Sequence, residues 1–291
     1  MANKKTAIVL SGGGMRCCYS AGFMYGLSEQ KLSLDILVCG SASSGTGAYF
    51  SSGQYESIRE IWTKLLSTEE LIEKKFNNLL PMHRPLLDVD YLIDGVLKGK
   101  KVNNNVLDAE RLKNSEIDFY VATTNSQTGK VEYFSNRHED LDIFEVLRAS
   151  KAIPLVYGKK IKLNGAEYHD FRFSSDGIHS ASKAIELGAE KILLVNTSSE
   201  KWKDHRITDS IVIFTKNWEF KKNHILNLRK TINFQFSKDI EHLVLKPGET
   251  FKMNRLDNSQ EALETGFEKG RIASYSPDVA EFLINRRMYF F

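Results

Sequence analysis

One stretch, from Asp35 to Ala48, limits the folds open to this chain more than any other. Its first residues, Asp35 to Val38, end in an apolar and partly β-branched run that is typical of the end of a buried strand. Small residues, mostly Gly, Ser and Ala, follow at once. Such a switch allows a strand to turn sharply into a helix and to expose one side chain at the tip. The stretch therefore predicts an α/β fold with a functional turn at a strand end.

This turn is similar to a nucleophile elbow, usually written G-x-S-x-G, in which glycines flank an exposed serine. The match is incomplete for both serines that could stand at the tip. Around Ser41, Cys39 and Ser43 replace the glycines, and around Ser43 only Gly45 is kept. The pattern alone leaves two interpretations open, a nucleophile elbow and a turn built only of small residues.

Three consecutive glycines, Gly12, Gly13 and Gly14, follow an apolar, strand-like run from Thr6 to Leu10. A segment of helix-like composition, Cys17 to Leu27, comes next. Glycines between a strand and a helix let backbone N–H groups point into one cavity, where they can hold a phosphate or an oxyanion. The run is neither a Walker loop nor a G-x-G-x-x-G motif. A glycine turn without a ligand is the alternative.

Strands and helices alternate along the following residues. The predicted strands are Phe119–Thr124, Val131–Phe134 and Lys191–Val195, with a hairpin of Ile161–Leu163 and Glu167–Tyr168 around Asn164-Gly165. The predicted helices are Ser51–Lys64, Ser67–Leu80, Tyr91–Leu97, Asp142–Ser150 and Ser182–Leu187. This alternation predicts an α/β fold with a doubly wound, mostly parallel sheet flanked by helices. We expect one α/β domain over residues 1–203, with a helical insertion, or cap, at about 55–110.

The remaining residues, 204–291, are predicted to form a C-terminal α+β extension packed on the core. Two strands, Ile211–Phe214 and His242–Leu245, flank a predicted helix from Lys216 to Phe236. One face of this helix is apolar and the opposite side is basic; the residues are Trp218, Ile225, Leu228 and Ile232 against Lys221, Lys222, Arg229 and Lys230. The apolar face predicts packing on the sheet. A helix lying on an anionic, peripheral membrane surface is the alternative.

Composition excludes several classes of protein. The net charge of +3 over 291 residues is too small to indicate nucleic-acid binding. Three cysteines without framework spacing favour a reducing compartment, and no His or Cys pair has zinc-ligand spacing. No apolar run reaches the roughly 18 residues that a membrane span needs. We therefore expect a soluble, cytoplasmic protein without a metal or cofactor, and its oligomeric state stays open.

A serine nucleophile needs a base within hydrogen-bond reach, and the sequence offers two carboxylates. Asp170 ends a predicted hairpin strand, while Asp176 follows six residues later among Ser174, Ser175 and Gly177. A strand end is a rigid place from which to aim a carboxylate, whereas the surroundings of Asp176 suggest a mobile loop. Either residue could also be an ordinary turn or cap residue.

Five motifs occur in order along the chain: Ser11–Arg16, Asp35 with Ser41 six residues on, Ala149–Pro154, Asn164–Asp170 and Ala184–Ala189. Together they resemble the patatin-like phospholipase family. The likeness covers about residues 5 to 200. It implies a patatin-like fold and an esterase or lipid acyl hydrolase that uses a Ser-Asp dyad, without histidine or metal. The implied substrate is a lipid or another ester.

The same resemblance assigns roles to individual residues. Ser41 matches the nucleophile and Asp170 the dyad aspartate, with Ser43 and Asp176 as reserve positions. The glycines Gly12, Gly13 and Gly14 match the oxyanion hole, and Arg16 matches the residue that braces it. The sequence departs from the family at Cys17, at Cys39 and Ser43, and at Phe171-Arg172 after the aspartate. Two rivals therefore stay open: a catalytically weakened homologue that binds lipid or acyl groups, and a phosphate-binding protein that uses the glycine turn.

Overall fold

The computed structural model describes most of the chain. The described residues are 4–72, 85–138, 140–154, 156–170, 172–197, 212 and 216–284. Much of the predicted helix Ser67–Leu80, most of the predicted strand Ile211–Phe214 and the proposed boundary after residue 203 lie outside these ranges. Within them, no helix is both long and apolar enough to cross a membrane.

A central sheet of eight strands organises the molecule. The strands are β1 Thr6–Leu10, β2 Ile36–Gly40, β3 Asp118–Asn125, β4 Val131–Ser135, β5 Ile161–Leu163, β6 Ala166–His169, β7 Lys191–Val195 and β8 Glu241–Leu245. Their order is β5-β6-β3-β2-β1-β7-β8, and β4 pairs with β3. The run from β3 to β8 is parallel, while β4, β5 and β6 pair antiparallel. The predicted α/β fold with a mostly parallel sheet is confirmed.

Helices cover both faces of this sheet. The α-helices are α1 Cys18–Glu29, α2 Ser43–Ser51, α3 Tyr55–Glu60, α4 Ala109–Lys113, α5 Ile143–Ala149, α6 Gly177–Glu186, α7 Trp218–Asn233, α8 Gln260–Ser274 and α9 Pro277–Ile284. A 3₁₀ turn spans Gly14–Cys17, and π-helical turns span Ile61–Leu65 and Tyr91–Leu97.

The strands bury alternate side chains in two separate apolar clusters. In β1, Ile8 lies in the larger cluster with residues of α1 and α2, whereas Val9 lies in a smaller one. Ala181 and Ala184 of α6 complete the smaller cluster. Because helices cover both faces of the sheet, the central strands are apolar at nearly every position. Continuous apolar runs of this kind are typical of parallel strands.

The structure corrects one predicted helix near the start of the proposed cap. The helix predicted over Ser51–Lys64 is interrupted, because α2 ends at Ser51 and Gly53 has a φ of +70°. A residue with a positive φ cannot continue a right-handed helix, so α3 begins afresh at Tyr55. The division into a cap and a C-terminal extension stays a proposal.

Residues near the C-terminus complete the core. Strand β8 pairs with β7, and α8 packs along α1 with the two backbones in close contact. A Cβ atom on Gly22 would lie 1.8 Å from the carbonyl oxygen of Phe267, and one on Gly270 would lie 1.8 Å from that of Tyr19. Both positions therefore require glycine.

Replacing Gly22 or Gly270 by alanine is expected to lower the free energy of unfolding by about 3 kcal/mol, because the helices must move apart. Denaturant unfolding measures this change. Gly248→Ala is the matched control, since no atom lies within 4 Å of its added Cβ. Equal effects at all three positions would contradict the close packing of α1 on α8.

Candidate active site

The predicted elbow serine stands between β2 and α2. Ser41 has a φ of +56°, a left-handed conformation that non-glycine residues rarely adopt and that recurs at functional sites. Its N–H donates to Ser150 Oγ at 2.9 Å, and its carbonyl accepts the N–H of Ser44 at 3.1 Å. The side chain is only 4% exposed. The local fold therefore fixes the direction of the Ser41 hydroxyl.

The predicted carboxylate lies directly against this hydroxyl. Ser41 Oγ donates to Asp170 Oδ2 at 2.6 Å, and Ser174 Oγ donates to Asp170 Oδ1 at 2.9 Å. The backbone N–H of Asp170 donates to the carbonyl of Ala152 at 3.0 Å, just after β6 ends at His169. Both carboxylate oxygens are thus held by hydroxyl groups, and one of those groups belongs to the elbow.

The two reserve residues make other contacts. Ser43 Oγ donates to the carbonyl of Ser11 at 2.7 Å and lies 3.2 Å from Ser20 Oγ. Asp176 is the N-cap of α6: its carboxylate accepts the N–H of Ile178 at 2.7 Å. Asp176 therefore stands at a helix start, where aspartate satisfies a free N–H, and the expected mobility of the loop before it stays a prediction.

The glycine turn approaches the serine closely. A Cβ on Gly12 would lie 2.7 Å from Ser41 Cβ and 2.4 Å from Ser175 Cβ, so only glycine fits there. The N–H of Gly12 donates to the carbonyl of Ser175 at 2.9 Å, and that of Met15 donates to the carbonyl of Arg255 at 2.8 Å. Backbone hydrogen bonds thus fix the glycine turn at both of its ends, Gly12 and Met15.

Two donors of the turn stay available. Among the residues that the structure describes, the N–H groups of Gly13 and Gly14 meet no acceptor. Gly14 has a φ of +61° and opens the 3₁₀ turn in which Arg16 is buried. The first N–H groups of a helical turn have no partner inside it, so they are free for an anion. Gly12 thus leaves space beside Ser41, while Gly13 and Gly14 carry N–H groups that meet no acceptor among the described residues.

A segment that sequence reasoning left without a role holds the site together. Ser150 Oγ accepts from the elbow and donates to the carbonyl of Ala122 at 2.7 Å. Lys151 Nζ donates to Ser44 Oγ at 2.6 Å and to the carbonyl of Leu147 at 3.2 Å. Ala152 holds the backbone of Asp170. The motif Ala149–Pro154 was visible in the sequence, but no pattern in it predicts a buried lysine.

Burial sets the acidity of the charged groups. It raises the pKa of Asp170 to about 6, against the opposing hydrogen bonds of Ser41 and Ser174 and the positive charges of Arg255 and Lys151. Burial lowers the pKa of Lys151 to about 7, although the charge of Asp170 acts in the opposite direction. A carboxylate with a pKa near 6 is ionised at neutral pH and is still basic enough to accept a proton.

An apolar cavity begins beside the elbow. Its volume is about 40 Å³. Ala42 and Met15, the neighbours of Ser41 and of the glycine turn, are among the residues that line it, together with Ile58, Trp62 and Leu97. Among the described residues that line it, Lys151 is the only one with a charged side chain. Within the described ranges, no group of three His, Cys, Asp or Glu residues is placed to hold a metal ion.

An elbow serine, a carboxylate in hydrogen-bond contact and a glycine turn beside them, all on an α/β sheet, are arranged as in a serine hydrolase. The family model of the patatin-like phospholipases matches residues 8–177, which is more than half of the 291 residues. The chain therefore belongs to the patatin-like phospholipase family, as its sequence motifs predict.

Two solved structures resemble the chain at low sequence identity. VipD from Legionella pneumophila is 11% identical with a TM-score of 0.47, over 94% of this chain and 67% of that one. The type III effector protein ExoU is 12% identical with a TM-score of 0.33, over 92% of this chain and 54% of that one. The chain thus spans about half of ExoU and two thirds of VipD. No curated protein matches it.

Proposed function

We propose that the chain hydrolyses acyl esters of lipids, with Ser41 as the nucleophile and Asp170 as the general base. The observation that carries this proposal is the 2.6 Å hydrogen bond from Ser41 Oγ to Asp170 Oδ2, made at an elbow with a positive φ. Membership of the patatin-like phospholipase family supports a lipid substrate. The reaction needs no group that the chain itself does not supply, other than water.

In the first step, Asp170 accepts the hydroxyl proton while Ser41 Oγ attacks the ester carbonyl carbon. Negative charge develops on the former carbonyl oxygen, and donors that already point at it lower its energy without reorganisation. We assign this role to the N–H groups of Gly13 and Gly14. The tetrahedral intermediate collapses when the proton held by Asp170 passes to the leaving alcohol, and an acyl-serine remains.

In the second step, water replaces the alcohol. Asp170 takes a proton from the water, whose oxygen attacks the acyl carbon, and the same N–H donors hold the second oxyanion. Collapse returns the proton from Asp170 to Ser41 Oγ and releases the fatty acid. Ser174 keeps the carboxylate aimed throughout by its hydrogen bond to Oδ1. Arg16, buried in the turn, is assigned to brace the donors and not to contact the substrate.

A fluorophosphonate probe tests the proposal, because it labels only an activated serine. We expect the full-length chain to be labelled on the peptide that contains Ser41, and Asp170→Asn to abolish labelling. Labelling of Ser43 would move the nucleophile by two residues. A chain that resists the probe and yet binds a lipid or a fatty acid would instead be the catalytically weakened homologue.

The pH dependence of the reaction follows from the raised pKa of Asp170. The base works only when ionised, so kcat/KM for a soluble ester should rise with pH up to about 6 and level off above it. Ser174→Ala should move the midpoint to higher pH, because it removes a hydrogen bond that stabilises the ionised carboxylate. A midpoint that stays in place or falls in this variant would argue against Asp170 as the titrating group.

We assign the apolar cavity to the first carbons of the acyl chain of the substrate, because its volume of about 40 Å³ is too small for a whole chain. Gly45 lines it, and a Cβ there would make only an ordinary contact, 3.9 Å from Lys151 Cε. Gly45→Leu should fill the cavity and lower kcat/KM for long-chain esters by roughly tenfold or more, with acetyl esters little affected. Gly45→Ala is the control and should keep the wild-type preference. Equal losses for acetyl and long-chain esters would place the acyl chain elsewhere.

A further inference from the structure

Helix α7 presents to solvent the face that its sequence predicts to be buried. The buried residues are Phe220, His224 and Thr231. Phe220 and Thr231 are 11 residues apart and His224 lies between them, so all three fall on one face of a helix with 3.6 residues per turn. Of the predicted apolar face, Leu228 packs partly buried against the core, whereas Trp218, Ile225 and Ile232 are exposed. The prediction was wrong for these three residues because the actual inner face is narrow and partly polar.

The exposed apolar residues form a regular row. Trp218, Ile225 and Ile232 are spaced by seven residues and therefore lie along one side of the helix. They are 74%, 50% and 58% exposed, and neighbouring Leu226 is 48% exposed. A contiguous exposed apolar row of this kind marks an interaction site more often than scattered apolar residues do. We call these three residues the apolar row of α7.

Basic residues flank the apolar row. Lys221 follows Trp218 by three residues, and Lys222 and Arg229 follow Trp218 and Ile225 by four. With Lys230, the helix carries four cations against one acidic residue, Glu219. In the part of the chain that the structure describes, none of these four cations forms an ion pair. Long basic side chains beside an apolar strip can reach up to phosphate groups while their stems lie on apolar surface.

The helix that carries the apolar row packs next to the candidate site. Helix α7 is fastened to the turn after β3 by three asparagines: Asn217, Asn223 and Asn227 donate to the carbonyls of Gln127, Thr128 and Gly129. On its inner face, His224 lies 5.1 Å from Phe173 and Phe220 lies 6.1 Å from His169, ring centre to ring centre. His169 and Phe173 flank Asp170 closely in sequence, so α7 packs on the segment that carries the proposed base.

We propose that α7 is a docking surface for an anionic lipid bilayer, with the apolar row in the interfacial layer and the flanking cations on lipid phosphates. Charge complementarity selects this occupant, since an anionic membrane attracts each nearby Lys or Arg. A helical protein partner would need a second apolar row at the i+3 and i+4 positions. After Trp218 and Ile225, Lys221, Lys222 and Arg229 occupy three of these four positions, and the fourth residue, Leu228, packs inward against the cluster of Phe173 and Phe220.

Vesicle sedimentation of the full-length chain tests this inference. The chain should sediment with vesicles of equimolar phosphatidylcholine and phosphatidylserine, and should remain in solution with phosphatidylcholine alone. The triple variant Trp218→Ser, Ile225→Ser, Ile232→Ser should weaken binding by at least about tenfold. Lys222→Glu with Arg229→Glu should also weaken it, and added salt should weaken wild-type binding.

Matched controls come from exposed residues on other helices. Ile272 on α8 is 62% exposed, so Ile272→Ser removes the same kind of side chain from another surface. Arg111→Glu with Lys113→Glu on α4 reverses the same number of charges on another helix. Both controls should bind like the wild type. Circular dichroism and the Tm check that each variant folds. If the triple variant does not fold, the binding of the charge-reversal variant alone tests the inference.

Three results would overturn the inference. They are wild-type chain that fails to sediment, α7 variants that bind as well as the wild type, and controls that lose binding equally. A wild-type dimer that the triple variant converts to a monomer would assign the row to a second copy of the chain instead. Because the Ser41→Ala variant should bind the same vesicles, this inference can succeed or fail separately from the proposed ester hydrolysis.

Discussion

Replacing Ser41 by alanine is expected to lower kcat for ester hydrolysis by at least about 10⁴-fold, because no covalent acyl intermediate can form. Initial rates on a soluble ester measure the loss, and KM should change little, since Ser41 acts in the transition state. The fold should persist, because the backbone of Ser41 makes the bonds that hold the elbow.

Ser43→Ala is the comparison that fixes the position of the nucleophile. Ser43 donates to the Ser11 carbonyl and to no carboxylate in the described structure. We expect this variant to keep most of its activity. An inactive Ser43→Ala together with an active Ser41→Ala would shift the nucleophile by two residues and would leave the 2.6 Å contact of Ser41 with Asp170 without a catalytic role.

Replacing Asp170 by asparagine is expected to reduce kcat by about 10⁴-fold, because an amide cannot accept the serine proton. The substitution conserves shape and removes a buried charge. Since burial places the pKa of Asp170 above its value in the unfolded chain, ionisation costs the folded state stability as pH rises from about 4 to about 6. The variant should therefore be at least as stable as the wild type at neutral pH.

Asp176→Asn is the matched control for this prediction. Asparagine caps a helix about as well as aspartate, so α6 should form normally and ester hydrolysis should continue. A combination of normal Tm and greatly reduced kcat in Asp170→Asn, but not in Asp176→Asn, assigns the loss to proton transfer. Normal kcat in Asp170→Asn would refute the assignment of the base.

The sequence predicts the central strands well and the site in part. Strands β1 and β7 match their predicted limits, because a strand buried on both faces is a continuous apolar run that ends abruptly. The resemblance to the patatin-like phospholipase family implies the pair of Ser41 and Asp170, and the structure brings these two side chains into contact. A local sequence pattern is therefore sufficient to predict the limits of a strand that is buried on both faces.

Features that depend on contacts between residues far apart in the chain could not be predicted from the sequence. Ser150 and Lys151 act through bonds to residues more than 100 positions away in the chain, and no local pattern encodes such contacts. The orientation of α7 was missed for the same reason. The periodicity of a helix identifies its most apolar face, but which face turns inward depends on the surface it meets, here Phe173 and the turn after β3.

The tie between Met15 and Arg255 has a consequence for the synthesis of the protein. Ser41 and Asp170 leave the ribosome well before Arg255, whose carbonyl fixes one side of the glycine turn. Helix α8, which packs on α1, is made later still. A growing chain thus carries the serine and the carboxylate for some time without a fixed turn to hold an oxyanion. We expect nascent chains to be silent toward lipid, so that cleavage begins only once translation has passed the residues that complete the fold.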